Sequence, residues 1–377
     1  MRKRGAAAAI LLAMCTVPAA CNAIIGLGEP TVGTHDAGRD AGLDLGAGDD
    51  AVSEGAAHEG GSADGCSPGT CGPVVLVADA GDVVSMSASS GSLYWVDGLT
   101  GQVRWCPTSA CSNPSVLFTP QGFDAGNSTV GGIATLRNNV FIGDNTPFGP
   151  PGPYVCNQSS CSPLQSSSSE PYYVGAIAAD TVDVYWTEPG AVYACAVSGC
   201  FAASTLGGDG WVSGNNRAGL AAAGGRIYFA GSPPVGTVAD VSVGWCTLNG
   251  CGGGGQWLQS VGEPTTAVGA NASGVFWATA TKVYASTPPM PSVSPPPAKL
   301  VASGLNGTTS FAADDLGVFF ASSLTGGGTI YACASPSCSN PEVIATNVGN
   351  VSAIAVDSAR VYAAIAGSVE QIVWVAR

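Results

Sequence analysis

Leu93-Tyr94-Trp95 is the stretch on which the fold turns, because it recurs along the chain. Val140-Phe141, Val184-Tyr185-Trp186, Ile227-Tyr228-Phe229, Val275-Phe276-Trp277, Val318-Phe319-Phe320 and Val361-Tyr362-Ala363 repeat its apolar and aromatic character. Taken between Trp95, Phe141, Trp186, Phe229, Trp277, Phe320 and Ala363, the period is 43 to 48 residues. Each signature is a short run of strand-forming residues. About ten residues earlier comes a run of small residues, such as Ser85 to Ala88, Gly175 to Ala179 or Ser310 to Ala313. A third strand follows the signature, as in Gln102-Val103-Arg104-Trp105 or Thr329-Ile330-Tyr331-Ala332, and then a fourth, as in Pro114 to Thr119 or Pro341 to Thr346. Four short antiparallel strands per unit at this period describe a β-propeller blade, and small residues suit the strand at which all blades converge. The expectation is an all-β, seven-bladed propeller over residues 66–377.

The register of the repeats also implies how the ring closes. The seventh unit reaches only its third strand, at Trp374 to Arg377. Residues 66–79, Cys-Ser-Pro-Gly-Thr-Cys-Gly-Pro-Val-Val-Leu-Val-Ala-Asp, match the missing piece as it stands in Cys333 to Thr346. An N-terminal strand at Pro73 to Ala78 is therefore expected beside Gln371 to Val375, completing the last blade and removing an open sheet edge.

Tyr94-Trp95-Val96-Asp97 and Tyr185-Trp186-Thr187-Glu188 resemble the Tyr-Trp-Thr-Asp repeats of a known propeller family, here in a lipoprotein setting. The resemblance spans residues 66–377 and implies architecture rather than activity, since propellers host unrelated functions. The best-known members of that family have six blades, which makes six the alternative count.

Composition supports a β-rich exported body: Gly (54) and Pro (25) are abundant and charged residues are only 10%. The net charge of -14 divides into +3 over residues 1–28, -8 over 29–65 and -9 over 66–377. Without clustered Lys and Arg, nucleic acid is excluded as an expected partner. Both histidines, His35 and His58, lie before residue 66, so the propeller has none for acid-base chemistry or metal ligation.

Arg2, Lys3 and Arg4 precede an uncharged run, and Val17-Pro18-Ala19-Ala20-Cys21 ends it. Residues 1–20 read as a signal peptide, and the ending looks like a bacterial lipobox in which Cys21 becomes the lipidated first residue. Pro18 stands where that pattern prefers Leu, and Cys15, preceded by Met14, is the competing site. Simple cleavage and release, or an uncleaved anchor, are the other outcomes. Residues 29–65, with repeats such as Asp36-Ala37-Gly38-Arg39-Asp40-Ala41-Gly42, have almost no bulky apolar side chains, and residues 21–65 read as a lipid-anchored, disordered acidic tether. These features place the protein in the bacterial cell envelope, lipid-anchored to a membrane, or exported.

The body holds twelve cysteines, all as C-x4-C: Cys66/Cys71, Cys106/Cys111, Cys156/Cys161, Cys195/Cys200, Cys246/Cys251 and Cys333/Cys338. Each pair falls at the turn between third and fourth strands of a different unit, which favours six local disulfides over shared zinc. Blade five lacks the pair and carries Pro288-Pro289-Met290-Pro291 and Pro295-Pro296-Pro297 instead. Those prolines either stiffen the loop or offer a docking motif to a polyproline-binding partner.

Candidate chemistry is sparse. Asp180, Asp314 and Asp357 each lie six residues before the second aromatic position, which suggests Asx turns. Asp97, Asp144 and Glu188 follow the second strand; a hydrogen bond to the neighbouring blade is the expected role, calcium or ligand contact the alternative. Asn127, Asn157, Asn271, Asn306 and Asn350 head Asn-x-Ser/Thr triplets and read as surface turns. The connections on one face are long and concentrate Phe123, Asp124, Asp144, Phe148, Tyr172, Tyr173, Asp209, Trp211 and Arg217, the side-chain types that serve as binding anchors.

Two functions of different class follow. The first is a non-catalytic, surface-tethered monomer that binds protein or glycan and uses no cofactor. The second is an exported hydrolase or lyase working with paired carboxylates or bound calcium, which the absence of histidine disfavours.

Overall fold

The computed structural model describes residues 72–377, except 121–129, 145–151, 165–173, 189, 198–202, 208–218, 232–241, 248–249, 251–255, 259–262, 290–296, 306, 323–326, 335–337, 339 and 368–369. Cys21, Cys66, Cys71 and the tether lie outside the described residues. Among those described there is no helix, and the strands form seven four-stranded antiparallel sheets. Blade one runs Val83–Ser89, Ser92–Asp97, Val103–Pro107 and Ser115–Phe118. Contacts link each blade's first strand to the next and return from blade seven to blade one, so the seven sheets close into a ring. The blade count is seven, not six.

Closure occurs as the repeat register implies. Val74–Val77 is the outer strand of blade seven, pairing Val74 with Trp374 and Val75 with Val373, in the sheet that also holds Arg360–Ala366 and Asn350–Val356. Val77 is buried in one cluster with Trp95, Tyr362 and Trp374, so this strand contributes to the core between blades seven and one.

The period-two alternation of each signature explains the packing between blades. Trp95, Trp186, Trp277, Phe229 and Phe320 are almost fully buried, and so are Tyr185, Tyr228 and Tyr362 one position earlier. Successive residues point to opposite faces of a blade, so one position fills the seam ahead and the other the seam behind. Across the second and third strands, Trp186 stacks on Tyr193 at 5.7 Å, Trp277 on Tyr284 at 5.8 Å and Phe320 on Tyr331 at 5.1 Å. Each is a directly opposed cross-strand pair. In blade four Gly244 faces Phe229, and a Cβ there would collide with the ring.

Register corrects the reading of blade two by one residue. Ile133 pairs with Ile142 as Met86 pairs with Trp95, so Ile142, and not Phe141, holds the second signature position. An aliphatic residue there hides the repeat from a pattern based on aromatic rings.

The outer strands share a device that sequence alone does not display. In blades one, three, five, six and seven the pairing of third and fourth strands slips by one residue, between Val103 and Arg104, Val192 and Tyr193, Val283 and Tyr284, Ile330 and Tyr331, and Val75 and Val77. Bulges of this kind bend an edge strand away from straight pairing and blunt it against sheet extension.

Three disulfides are fully described, Cys106–Cys111, Cys156–Cys161 and Cys333–Cys338, with Cα separations of 5.2, 4.0 and 5.3 Å. Cys195 and Cys246 are also disulfide-bonded; Cys200 and Cys251 lie outside the described residues.

Candidate functional site

A propeller has two faces and a central channel, and residue chemistry distinguishes all three. One face carries the turns between first and second strands and between third and fourth. Here Asp180 Oδ1 accepts from the N–H groups of Val182 (2.8 Å) and Asp183 (2.9 Å), Asp314 from Leu316 and Gly317, and Asp357 from Ala359 and Arg360. These are Asx turns, as the sequence implies. Asn271 makes the same turn, accepting from Ser273 and Gly274 at 3.0 Å. It is 4% exposed, which corrects its reading as a surface turn. It lies six residues before Trp277, the offset at which the three aspartates sit, so that spacing was the signal that could have revealed it.

This face is also latched across most seams. Ser89 and Ser90 donate to the Arg137 carbonyl, joining blades one and two. Arg226 Nε donates to the Pro289 carbonyl at 3.0 Å, tying the proline-rich loop of blade five to blade four. Asn271 Nδ2 donates to the Asp314 carbonyl at 3.0 Å between blades five and six, and Arg360 Nη1 donates to the Thr108 carbonyl at 2.9 Å between blades seven and one. The second carboxylate oxygens of Asp180 and Asp357 accept from the hydroxyls of Tyr185 and Tyr362. Burial raises both phenol pKa values, and the adjacent aspartates add to the shift.

The opposite face carries the long connections. Asp97, Asp144 and Glu188 end the second strands of blades one to three and are 2%, 1% and 3% exposed. Thr279 and Ser322, also buried, fill the equivalent place in blades five and six. The expected bonds to neighbouring blades are not what holds Asp97 and Glu188. Asp97 accepts from Leu99 N–H and from Thr100 Oγ1 in its own hairpin, and pairs with Arg104 at 3.2 Å. Glu188 accepts from the Trp186 indole N–H at 3.0 Å on its own strand. In both cases the donors come from the residue's own blade. Burial raises the Glu188 pKa against the opposing effect of Trp186 and Tyr193. Burial and then the Asp144 charge raise that of Tyr154. At the seam of blades seven and one, Glu370 accepts from Val83 N–H at 2.5 Å; burial, with Asp82 and Asp97 nearby, raises its pKa.

The charges are divided unequally between the faces. Among the described residues the long-connection face carries seven carboxylates, those just named with Asp79 and Glu263, against two cations. Both cations are engaged, Arg104 with Asp97 and Lys282 with Glu263. The latched face carries six carboxylates, Asp180, Asp183, Asp314, Asp315, Glu342 and Asp357, against five cations.

Of the binding candidates, Asp144 is described and lies beneath the surface. Phe123, Asp124, Phe148, Tyr172, Tyr173, Asp209, Trp211 and Arg217 lie outside the described residues. Among the described residues no three His, Cys, Asp or Glu side chains are grouped as metal ligands.

The channel between the faces was not singled out by the sequence pattern. It has two chambers, of about 270 and 160 Å³, lined by the first strands of the blades. Met86, Ile133, Ile177, Leu220, Val268, Phe311 and Ile354 form a collar at the narrower chamber, each paired with the second signature position of its blade. The wider chamber lies toward the latched face and continues past the collar to Ala88, Thr135, Ala179, Ala222, Ala270, Ala313 and Val356. These last residues are half-buried, whereas six of the seven collar residues are buried.

No family model matches the chain, and no curated protein matches it. Among solved structures it is similar to the computationally designed Ika8 protein, at 12% identity over 79% of this chain and 98% of that one, with a TM-score of 0.48. It is also similar to a chain of a nidogen/laminin complex, at 13% identity over 68% of this chain and 92% of that one, with a TM-score of 0.46.

Proposed function

We propose that this chain is a non-catalytic lipoprotein of the bacterial cell envelope, whose propeller binds a protein or glycan through its long-connection face. Cys21 is the lipidated residue, and residues 21–65 are the tether. The observation that supports the reading is the contrast between faces. Among the described residues the latched face nearly balances its charges and is tied across its seams, whereas the strand ends of the other face carry seven carboxylates against two cations. A binding module needs this division between a rigid frame and a variable surface. Phe123, Asp124, Asp144, Tyr172, Tyr173, Asp209, Trp211 and Arg217 supply the anchors.

The test is a screen of the purified chain against glycans and envelope proteins, with and without calcium. A verified ligand is expected to bind at least tenfold more weakly to a Trp211→Ala, Tyr173→Ala double variant of unchanged thermal stability. Equal affinity in that variant overturns the choice of face. Intact-mass analysis of the membrane fraction should find an acylated species beginning at Cys21; a soluble product unaffected by Cys21→Ser overturns the anchor.

A further inference from the structure

The first strand of every blade is terminal in its sheet, so its backbone is paired on one side only. The N–H and C=O groups of the other edge border the channel, and such groups do not remain unpaired away from water. Neighbouring blades bond to this edge in places: Ser310 Oγ accepts from Ile354 N–H at 3.0 Å, and Thr135 Oγ1 donates to the Ala88 carbonyl at 3.3 Å. Among the described residues no backbone hydrogen bond joins one first strand to the next. Where this edge lines the wider chamber, it can also bond to whatever fills the channel.

Three features of the wider chamber select its occupant. Its volume of about 270 Å³ is below the ~300–1,000 Å³ of pockets for drug-sized ligands and corresponds to roughly nine waters at ~30 Å³ each. Its wall has no charged side chain, so an ion would lose hydration without gaining a counter-charge. An apolar molecule would leave the strand edges without partners. A small neutral molecule rich in hydroxyls meets all three conditions, its C–H faces resting on the methyl groups of Ala222, Ala270 and Ala313. The Ser87 and Thr135 hydroxyls, 2.8 Å apart across the seam of blades one and two, break the symmetry of the wall and supply a side-chain anchor.

We propose that the wider chamber of the channel is a binding site for a neutral polyol of monosaccharide size, reached from the latched face. This site is separate from the long-connection face, so either assignment can fail without the other.

Saturation-transfer NMR on the full-length chain, with D-glucose as probe, tests the proposal. Saturable binding is expected, with gluconate and glucosamine, which carry charge on a similar frame, binding at least tenfold more weakly. Thr135→Val, which removes the hydroxyl at nearly constant volume, should weaken glucose binding about fivefold, within the range for one hydrogen bond. Ala222→Trp should block the chamber; because a bulky residue can disturb the strand, its melting curve must match the parent. Absence of saturable glucose binding, gluconate binding as tight as glucose, or full affinity in Thr135→Val would each overturn the proposal.

Discussion

Arg377 grips Asp314 across the seam between blades six and seven. Its Nη2 donates to Asp314 Oδ1 at 3.0 Å, while Nη1 reaches Oδ2 and also donates to the Asp357 carbonyl at 2.7 Å. The guanidinium lies 4.9 Å from the centre of the Phe319 ring. Phe319 occupies the position held by Tyr185 in blade three and Tyr362 in blade seven, whose hydroxyls donate to Asp180 and Asp357. With no hydroxyl in blade six, the carboxylate is satisfied from the next blade instead.

That substitution makes Arg377 a seam residue with a measurable contribution. Arg377→Ala is expected to cost about 2 kcal/mol, the usual range for hydrogen bonds to a charged group. Arg377→Lys should recover only part of it, because an ammonium cannot reproduce the bidentate geometry. Equilibrium denaturation measures both, and a loss below about 0.5 kcal/mol for the Ala variant would show the contact to be idle.

Pairing of Val74 with Trp374 closes the ring. Deleting residues 66–79 should uncover the edge of Gln371–Ala376 and the core around Val77, producing oligomers by light scattering and a lower melting temperature. A truncated chain as stable and monomeric as the parent would show that the edge needs no partner.

Glu188 has a raised pKa because it is buried. The native state therefore holds its proton more tightly than the unfolded chain, so its contribution to stability is complete below the ordinary value of 4.5 and is lost as pH rises through the raised native value. Glu188→Gln, which keeps an acceptor for the Trp186 indole, should gain about 1 kcal/mol on the parent at pH 7 and lose that gain near pH 4. Thermal melts across this range check the sign, and a gain equal at both pH values would refute the assignment.

Asn271 has two separable roles. Asn271→Asp keeps the acceptor for Ser273 and Gly274 but removes the Nδ2 donor to Asp314, whereas Asn271→Ala removes both. The Asp variant should cost about 1 kcal/mol and the Ala variant about 2 kcal/mol. Equal costs would place all of the stabilisation in the latch between blades five and six.

How much was legible in advance depended on whether a feature was local. The strand signatures, the C-x4-C pairs and the Asx turns at Asp180, Asp314 and Asp357 are set by residues within a few positions of one another, so periodicity and turn chemistry exposed them. Closure by Val74–Val77 was also legible, because a unit lacking its fourth strand at one end matches a surplus strand at the other. What only the tertiary structure decided depends on residues brought together from different blades. Asn271 reaches Asp314 and Arg377 reaches Asp314 and Asp357 because the ring fixes which turns face one another. Ile142 falls into its place by strand register rather than by an aromatic ring. Beyond its collar of larger apolar residues the channel is lined mainly by alanine, and its chemistry there resides in backbone edges, which every sequence possesses and only a closed ring aligns.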